Sequence, residues 1–308
     1  MPDVRLRLVP VMARPAVGLL GASVAADLTS IEAEVAILGV PLGWPYPRPG
    51  ATAGCAAAPA AIRARSARLA RFRDHWDFDL DGPLRLRPFS DTGDVPGDPS
   101  DGPGNSRRIT EAVAAILERG LIPVCLGGDD SVPIPILRAY AGRRPLTVLQ
   151  VDAHLDYRDE VDGLREGYSS PMRRASEMDQ VARIVQVGLR GVGSARAPDV
   201  EDARATGNLL VTARELRERG VPWLLGQLAP DASIFVSFDC DGLDPAVMPA
   251  VSALAPGGLS YAEAWDLLFG IRARMAGAVF TEYVPALDHN ELGALTISRL
   301  LTALLAGT

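Results

Sequence analysis

The sequence predicts an α/β fold built on a doubly wound, mainly parallel sheet. Two observations carry that prediction. Apolar runs of strand length recur as near-continuous stretches without strict alternation, the pattern of strands covered on both faces. Stretches of helical character separate them over most of the chain, and such alternation places successive strands parallel in one sheet.

The expected strands, in order, are EVAILGV (34–40), LIPVCLG (121–127), LTVLQVD (146–152), RIVQVGL (183–189), SIFVSFD (233–239) and GAVFTEYV (277–284). Helices are expected over 58–72, 106–119, 132–141, 199–206, 212–219 and 260–275. Turn chemistry in GDVPGDPSDGPGNSRR (93–108) leads into the second of these, with Asn105 or Ser106 as the N-cap. WPYPRPG (44–50) reads as a rigid loop. The arginines of AIRARSARLARFR (61–73) read as the solvated face of an amphipathic helix. No repeat or linker interrupts the pattern, so one domain over 1–308 is expected, with an N-terminal extension over about 1–30.

Composition narrows the classes of function. The chain has 308 residues, 48% of them hydrophobic and 22% charged, ordinary for a globular protein with a core. A net charge of −7 and a pI near 5.1 argue against nucleic acid or an anionic membrane surface as the main partner. No run approaches the roughly 18 apolar residues of a membrane span. AVGLLGASVAA (16–26) superficially resembles a leader, but it is rich in alanine and glycine and the nearby arginines scatter around Pro10 and Pro15. A cytoplasmic location is therefore expected. Cys55, Cys125 and Cys240 show no C-x-x-C spacing, which suits a reduced setting. Cys125 and Cys240 fall in apolar runs and read as small core residues.

The chemistry gathers where strands end. GGDDS (127–131), DAHLD (152–156), SFDCDGLDP (237–245) and TEYVP (281–285) each close or follow an apolar run. In open α/β sheets the ligand crevice lies beyond the carboxyl ends of the strands, so the four motifs are expected to meet there. Alternate positions of an extended chain share a face. Asp152, His154 and Asp156 would then point one way, as would Asp239 and Asp241. Carboxylates crowded together repel and push one another's pKa up unless cations intervene. A set of carboxylates and one imidazole suits a divalent ion such as Mn²⁺ better than a structural zinc. His75 and His289, the other two histidines, read as core or surface residues.

GGDDS, DAHLD, SFDCDGLDP-x₃-PA and TEYVPALD together resemble the ureohydrolase family of arginases and agmatinases. GVP (39–41), RPG (48–50), Pro59-x-x-Ile62-Arg63 and D-x-GDV (91–95) match in order and spacing, so the resemblance spans most of the chain. It implies a three-layer α/β/α sandwich, a homo-oligomer (trimer or hexamer) and two divalent metal ions, Mn²⁺ by preference. By the resemblance Asp152 and Asp239 bridge the ions, with His154 and Asp241 on one and Asp156 on the other. A small cationic guanidino substrate would be held by Glu282 and cleaved to an amine and urea by water that the ions make nucleophilic.

The sequence departs from the family pattern twice. Asp130 stands where the family usually has a metal-ligating histidine, and a carboxylate there can still ligate manganese. Tyr168, in GYSSPMRRASE (167–177), stands where a histidine implicated in proton transfer is common. Tyrosine titrates near about 10, which suits donating a hydrogen bond better than shuttling protons. Both features resemble those of an agmatinase-like subgroup. Asp156, Glu282 and Tyr168 are thus the candidate catalytic residues. The alternative is a non-catalytic or weakly active subunit that binds metal or a partner.

Overall fold

A computed structural model describes residues 12–25, 31–44, 46 and 53–307. The RPG element at 48–50, most of the 44–50 loop and residues 1–11 and 26–30 of the expected extension lie outside the described residues. The strands are β1 (Val35–Val40), β2 (Trp76–Asp77), β3 (Gly82–Pro83), β4 (Phe89–Asp94), β5 (Ile122–Gly127), β6 (Leu146–Val151), β7 (Val181–Leu189), β8 (Leu209–Thr212), β9 (Ser233–Asp239) and β10 (Met275–Thr281). β2 and β3 form a small antiparallel hairpin; the other eight form one sheet, order β4-β1-β5-β10-β9-β6-β7-β8. Every pairing within that sheet is parallel.

The helices are α1 (Ala58–Ala70), α2 (Gly102–Glu118), α3 (Pro133–Arg138), α4 (Pro171–Ser176), α5 (Ala197–Ala205), α6 (Ala213–Arg219), α7 (Val221–Gly226), α8 (Tyr261–Ile271) and α9 (Leu292–Leu305). Successive residues of a strand point to opposite faces of the sheet, and both faces are covered. Val35 and Ile37 of β1 join one core with residues of α1, α8 and α9. Ala36, Leu38 and Val40 join the other with residues of α2 and α3. This is the expected three-layer α/β/α arrangement. No helix among the described residues is long and apolar enough to cross a membrane.

The expected strands all form, and the two large-sheet strands not anticipated, β4 and β8, are its two edges. An edge strand need not be apolar along its length, so FSDTGD (89–94) carries little strand signal. Residues of the N-terminal segment line β4 on its free side: Ala13 bridges Asp94 and Val24 bridges Asp91, covering an otherwise unpaired edge.

Three local expectations are corrected. α2 begins before Asn105 and Ser106; Asp101 is its N-cap, its Oδ1 accepting from Gly104 N at 2.9 Å. Asn105 instead donates to Gly43 O and Asp98 O, tying two loops together. Arg63 does not belong to a solvated face. It is fully buried and reaches Asp91 through both Nε (2.8 Å) and Nη2 (2.9 Å) and Asp94 through Nη1 (2.5 Å). The expected helix 260–275 ends at Ile271 and a short 3₁₀ turn, because Met275 already begins β10. Helices α4, α7 and α9 were not anticipated.

Candidate metal centre

The strands that carry the four motifs are the four central neighbours of the sheet, β5, β10, β9 and β6. Their carboxyl ends present Asp130, Glu282, Asp239 and Asp152 side by side. The ligand stretches do not stay extended, contrary to expectation. β6 stops at Val151, and Asp156 takes a left-handed φ of 46°. β9 stops at Asp239, after which Cys240–Gly242 form a 3₁₀ turn. These turns divide the candidates between two sets. Asp152, His154 and Asp241 form one, and Asp130, Asp152, Asp156 and Asp239 the other; within each set the donor atoms lie within 4.8 Å of one another. Asp152 belongs to both.

The two sets are knitted by backbone bonds. Ala153 N donates to Asp241 Oδ1 (3.1 Å), Asp241 N to Asp239 Oδ1 (2.8 Å) and His154 N to Asp152 Oδ1 (2.5 Å). The His154 Nδ1 faces Asp241 Oδ2 at 3.0 Å and Asp152 Oδ1 at 3.4 Å. Asp130 is held by Thr281, whose hydroxyl donates to Oδ1 at 2.6 Å. Its other oxygen, Oδ2, is buried and has no hydrogen-bond partner among the described residues. The carbonyl of Asp156 accepts from Met172 N (3.1 Å), so the start of α4 fixes the end of the DAHLD turn.

Burial and mutual repulsion dominate the electrostatics. Burial, then the neighbouring Asp152, pushes the carboxyls of Asp130 and Asp156 well above the usual range. Burial, then Asp241, raises Asp239 well above that range and Asp152 to about 6. Hydrogen bonds to Asp152 and Asp241 raise the His154 imidazole to about 10. A site so arranged holds protons when it holds nothing else, and cations can take their place. The orphaned Asp130 Oδ2 makes the same point: a buried acceptor left unpaired is costly, and a metal ion would satisfy it. The residues fit divalent cations with oxygen and imidazole ligands.

A cavity of about 240 Å³ opens on this cluster. Its walls include Tyr168, Ser169, Ser194, Ser252 and Glu282. Glu282 follows β10 with a φ of 63°, left-handed for a non-glycine residue. Its Oε1 accepts from Asp130 N at 2.8 Å, and its Oε2 lies 3.8 Å from the Cys55 thiol. Burial, then Asp129, raises its carboxyl to about 8. Tyr168 meets Tyr46 edge to face, ring centroids 4.5 Å apart. The structure therefore brings together every residue singled out from the sequence, while His75 and His289 sit exposed elsewhere.

A family model described as the arginase family matches residues 33–307. The chain belongs to the arginase family. Among curated relatives of this arginase-family chain is the mitochondrial agmatinase of Gallus gallus, 32% identical over 286 residues, covering 90% of this chain and 82% of that protein. The mitochondrial guanidino acid hydrolase of Homo sapiens is 31% identical over 280 residues, covering 88% of this chain and 77% of its own. Among solved structures, proclavaminate amidino hydrolase from Streptomyces clavuligerus superposes with a TM-score of 0.81 at 26% identity, covering 96% of this chain and 97% of that one.

Sequence reasoning missed several residues of the site. Thr281 carries no signal beyond its place in TEYVP, and Gly193 and Ser194 line the cavity from a loop that carries no motif. Arg190 was missed altogether. Its guanidinium donates to Asp241 O (2.6 Å), Leu243 O (3.0 Å) and Ala255 O (2.7 Å) through Nη2, and to Gly188 O (3.0 Å) and Gly242 O (3.1 Å) through Nη1. It binds the Asp241 turn to the rim of the cavity. An arginine soon after a strand carries no signal of its own; only the fold shows what it grips.

Proposed function

We propose that this protein is a metal-dependent amidinohydrolase, cleaving a small guanidino compound of agmatine-like type to an amine and urea. The observation that carries the reading is the pair of ligand sets sharing Asp152 on the floor of a cavity whose wall holds Glu282. Two divalent ions, Mn²⁺ by preference, would be held there, one by Asp152, His154 and Asp241 and the other by Asp130, Asp152, Asp156 and Asp239. Kinship with agmatinases and a guanidino acid hydrolase supports the substrate class.

When bound, a pair of divalent ions lowers the pKa of water into the neutral range and supplies the nucleophile. The protein's own groups do the rest. The cluster's negative field draws a guanidinium into the cavity. Glu282, pinned by Asp130 N, takes the guanidinium through charge-assisted hydrogen bonds. The Asp156 carboxylate accepts a proton from the attacking water and returns it to the departing amine. Tyr168 donates a hydrogen bond from the cavity wall and orients the substrate. Incubating Mn²⁺-loaded protein with a panel of guanidino amines and acids and measuring urea tests the reading. Urea no higher than that from the Asp152→Ala protein would sink it.

Asp130 and Tyr168 also support a second reading, a metal-binding subunit with little turnover of its own. Joint replacement Asp130→His and Tyr168→His separates the two: a large rise in urea release marks a catalytic scaffold that has lost function, and no rise favours the active-as-built reading when the wild-type protein turns over.

A further inference from the structure

Two glutamines interrupt apolar strands below the cluster. Gln150 lies in β6 and Gln186 in β7, and the β6–β7 register pairs them directly. Both are fully buried. Burying an amide is costly unless its polar atoms are bonded, and here they are bonded in series. Asn208 Nδ2 donates to Gln186 Oε1 (3.1 Å), Gln186 Nε2 to Gln150 Oε1 (2.6 Å), and Gln150 Nε2 to Asp152 Oδ2 (2.6 Å).

The direction of this chain is dictated at its inner end. With a metal on it, the Asp152 carboxylate is ionised and only accepts, so Gln150 must turn its NH₂ toward Asp152 and its carbonyl toward Gln186. Gln186 must then donate to Gln150, which leaves its own carbonyl for Asn208. One acceptor thus sets the orientation of three amides, in β6, in β7 and in the residue that precedes β8. Gln186 Nε2 also donates to Leu155 O at 2.7 Å, inside the turn that separates His154 from Asp156. The same amide therefore steadies the shared carboxylate, through Gln150, and the backbone between two further ligands.

We propose that Gln150 and Gln186 are positioning residues for the metal centre, the Asn208–Gln186–Gln150 relay fixing the rotamer of Asp152 and the path of residues 152–156. The proposal rests on the metal-centre reading above. Amides suit the task because they do not titrate near neutrality, so the orientation is held at any working pH. Hydrogen-bond partners of metal ligands are worth about 10- to 100-fold in metal affinity.

The test is Mn²⁺ affinity, by competition with a chelating indicator, for wild type, Gln150→Met, Gln186→Met and the double variant. Thermal unfolding in excess chelator is recorded beside it. Each single variant is expected to bind about 10-fold or more weakly. The double variant is expected to bind no more weakly than the worse single one, because members of one chain couple and do not add. A merely structural role would lower the unfolding temperature of the metal-free protein and leave affinity alone. Should the glutamine variants not fold, Asn208→Ala, at the half-buried outer end, is read instead, with a loss of more than 2-fold expected, smaller than for the glutamines because Asn208 stands farthest from the ligand. Wild-type protein that binds Mn²⁺ with every folded variant within 2-fold of it overturns the relay alone. Wild-type protein that binds no Mn²⁺ overturns the metal-centre reading, and the relay with it.

Discussion

Thr281 donates its hydroxyl to Asp130 Oδ1 at 2.6 Å, and the opposite oxygen of that carboxyl is left buried with no partner among the described residues. Asp130 belongs to the four-aspartate set, so the tether bears on a candidate ligand. Thr281→Val keeps the shape of the side chain and removes the tether. On the proposed assignment, affinity for the ion that Asp130 and Asp156 would hold should fall about 10-fold, with the other site little changed. Metal content per chain at limiting Mn²⁺, by elemental analysis, should drop from two toward one. Two equally tight ions in the variant would contradict this.

Glu282→Gln should separate binding of substrate from binding of metal. The amide can still accept from Asp130 N, so the local backbone has no reason to move. The charge proposed to meet the guanidinium is lost, and a charge-assisted hydrogen bond is worth about 1.5–3 kcal/mol. The expected loss in kcat/KM is thus on the order of 10- to 100-fold, with metal stoichiometry unaltered. Activity within 2-fold of wild type would remove Glu282 from the substrate site.

Chelation should invert the ordinary pH dependence of stability. Asp152 is raised from 3.8 to about 6 and Glu282 from 4.5 to about 8, both chiefly by burial. His154 is raised from 6.5 to about 10 by its hydrogen bonds to Asp152 and Asp241. All three bind protons more tightly folded than unfolded, so each contributes stability below its unfolded pKa that is lost as pH rises through its folded one. Metal-free protein should therefore lose thermal stability steadily between about pH 4 and 10. Saturating Mn²⁺ replaces those protons and should abolish the decline over the neutral range. Parallel melting curves with and without chelator would refute this.

Arg63 offers a test far from the site. Its guanidinium and the Asp91 carboxylate are both fully buried, with Asp94 as a third member. Arg63→Met keeps most of the volume and strands two acids. Breaking a buried pair in this way costs about 3–5 kcal/mol, to be read as a shift in the urea midpoint at pH 7. A cost under about 1 kcal/mol would place Arg63 with ordinary surface pairs.

Legibility followed burial. The six strands between the edges are apolar because helices cover both their faces, and the sequence shows them as such. The edge strand β4 is mostly polar and β8 is only four residues long, so neither left a comparable apolar run. Arg63 was misread for a related reason: helical spacing places it among exposed arginines, and only Asp91 and Asp94, some thirty residues away, draw it inside. At the site, the acids and His154 were visible because carboxylates at strand ends need explaining. Gln150 is equally anomalous within LTVLQVD, but an uncharged amide in an apolar run gives no sign of what it bonds. The division of ligands into two sets depends on the left-handed turn at Asp156, which no alternation rule anticipates.

Arg190 has one more consequence. It is a monovalent cation that the chain carries with it, clasped by five carbonyls and beside the acids of the Asp241 turn. Chelators can strip exchangeable ions from such a pocket, yet they cannot extract a guanidinium. Demetallated protein should accordingly keep the 240–243 hook in its loaded shape while the DAHLD segment loosens, so that reloading begins at the half already built.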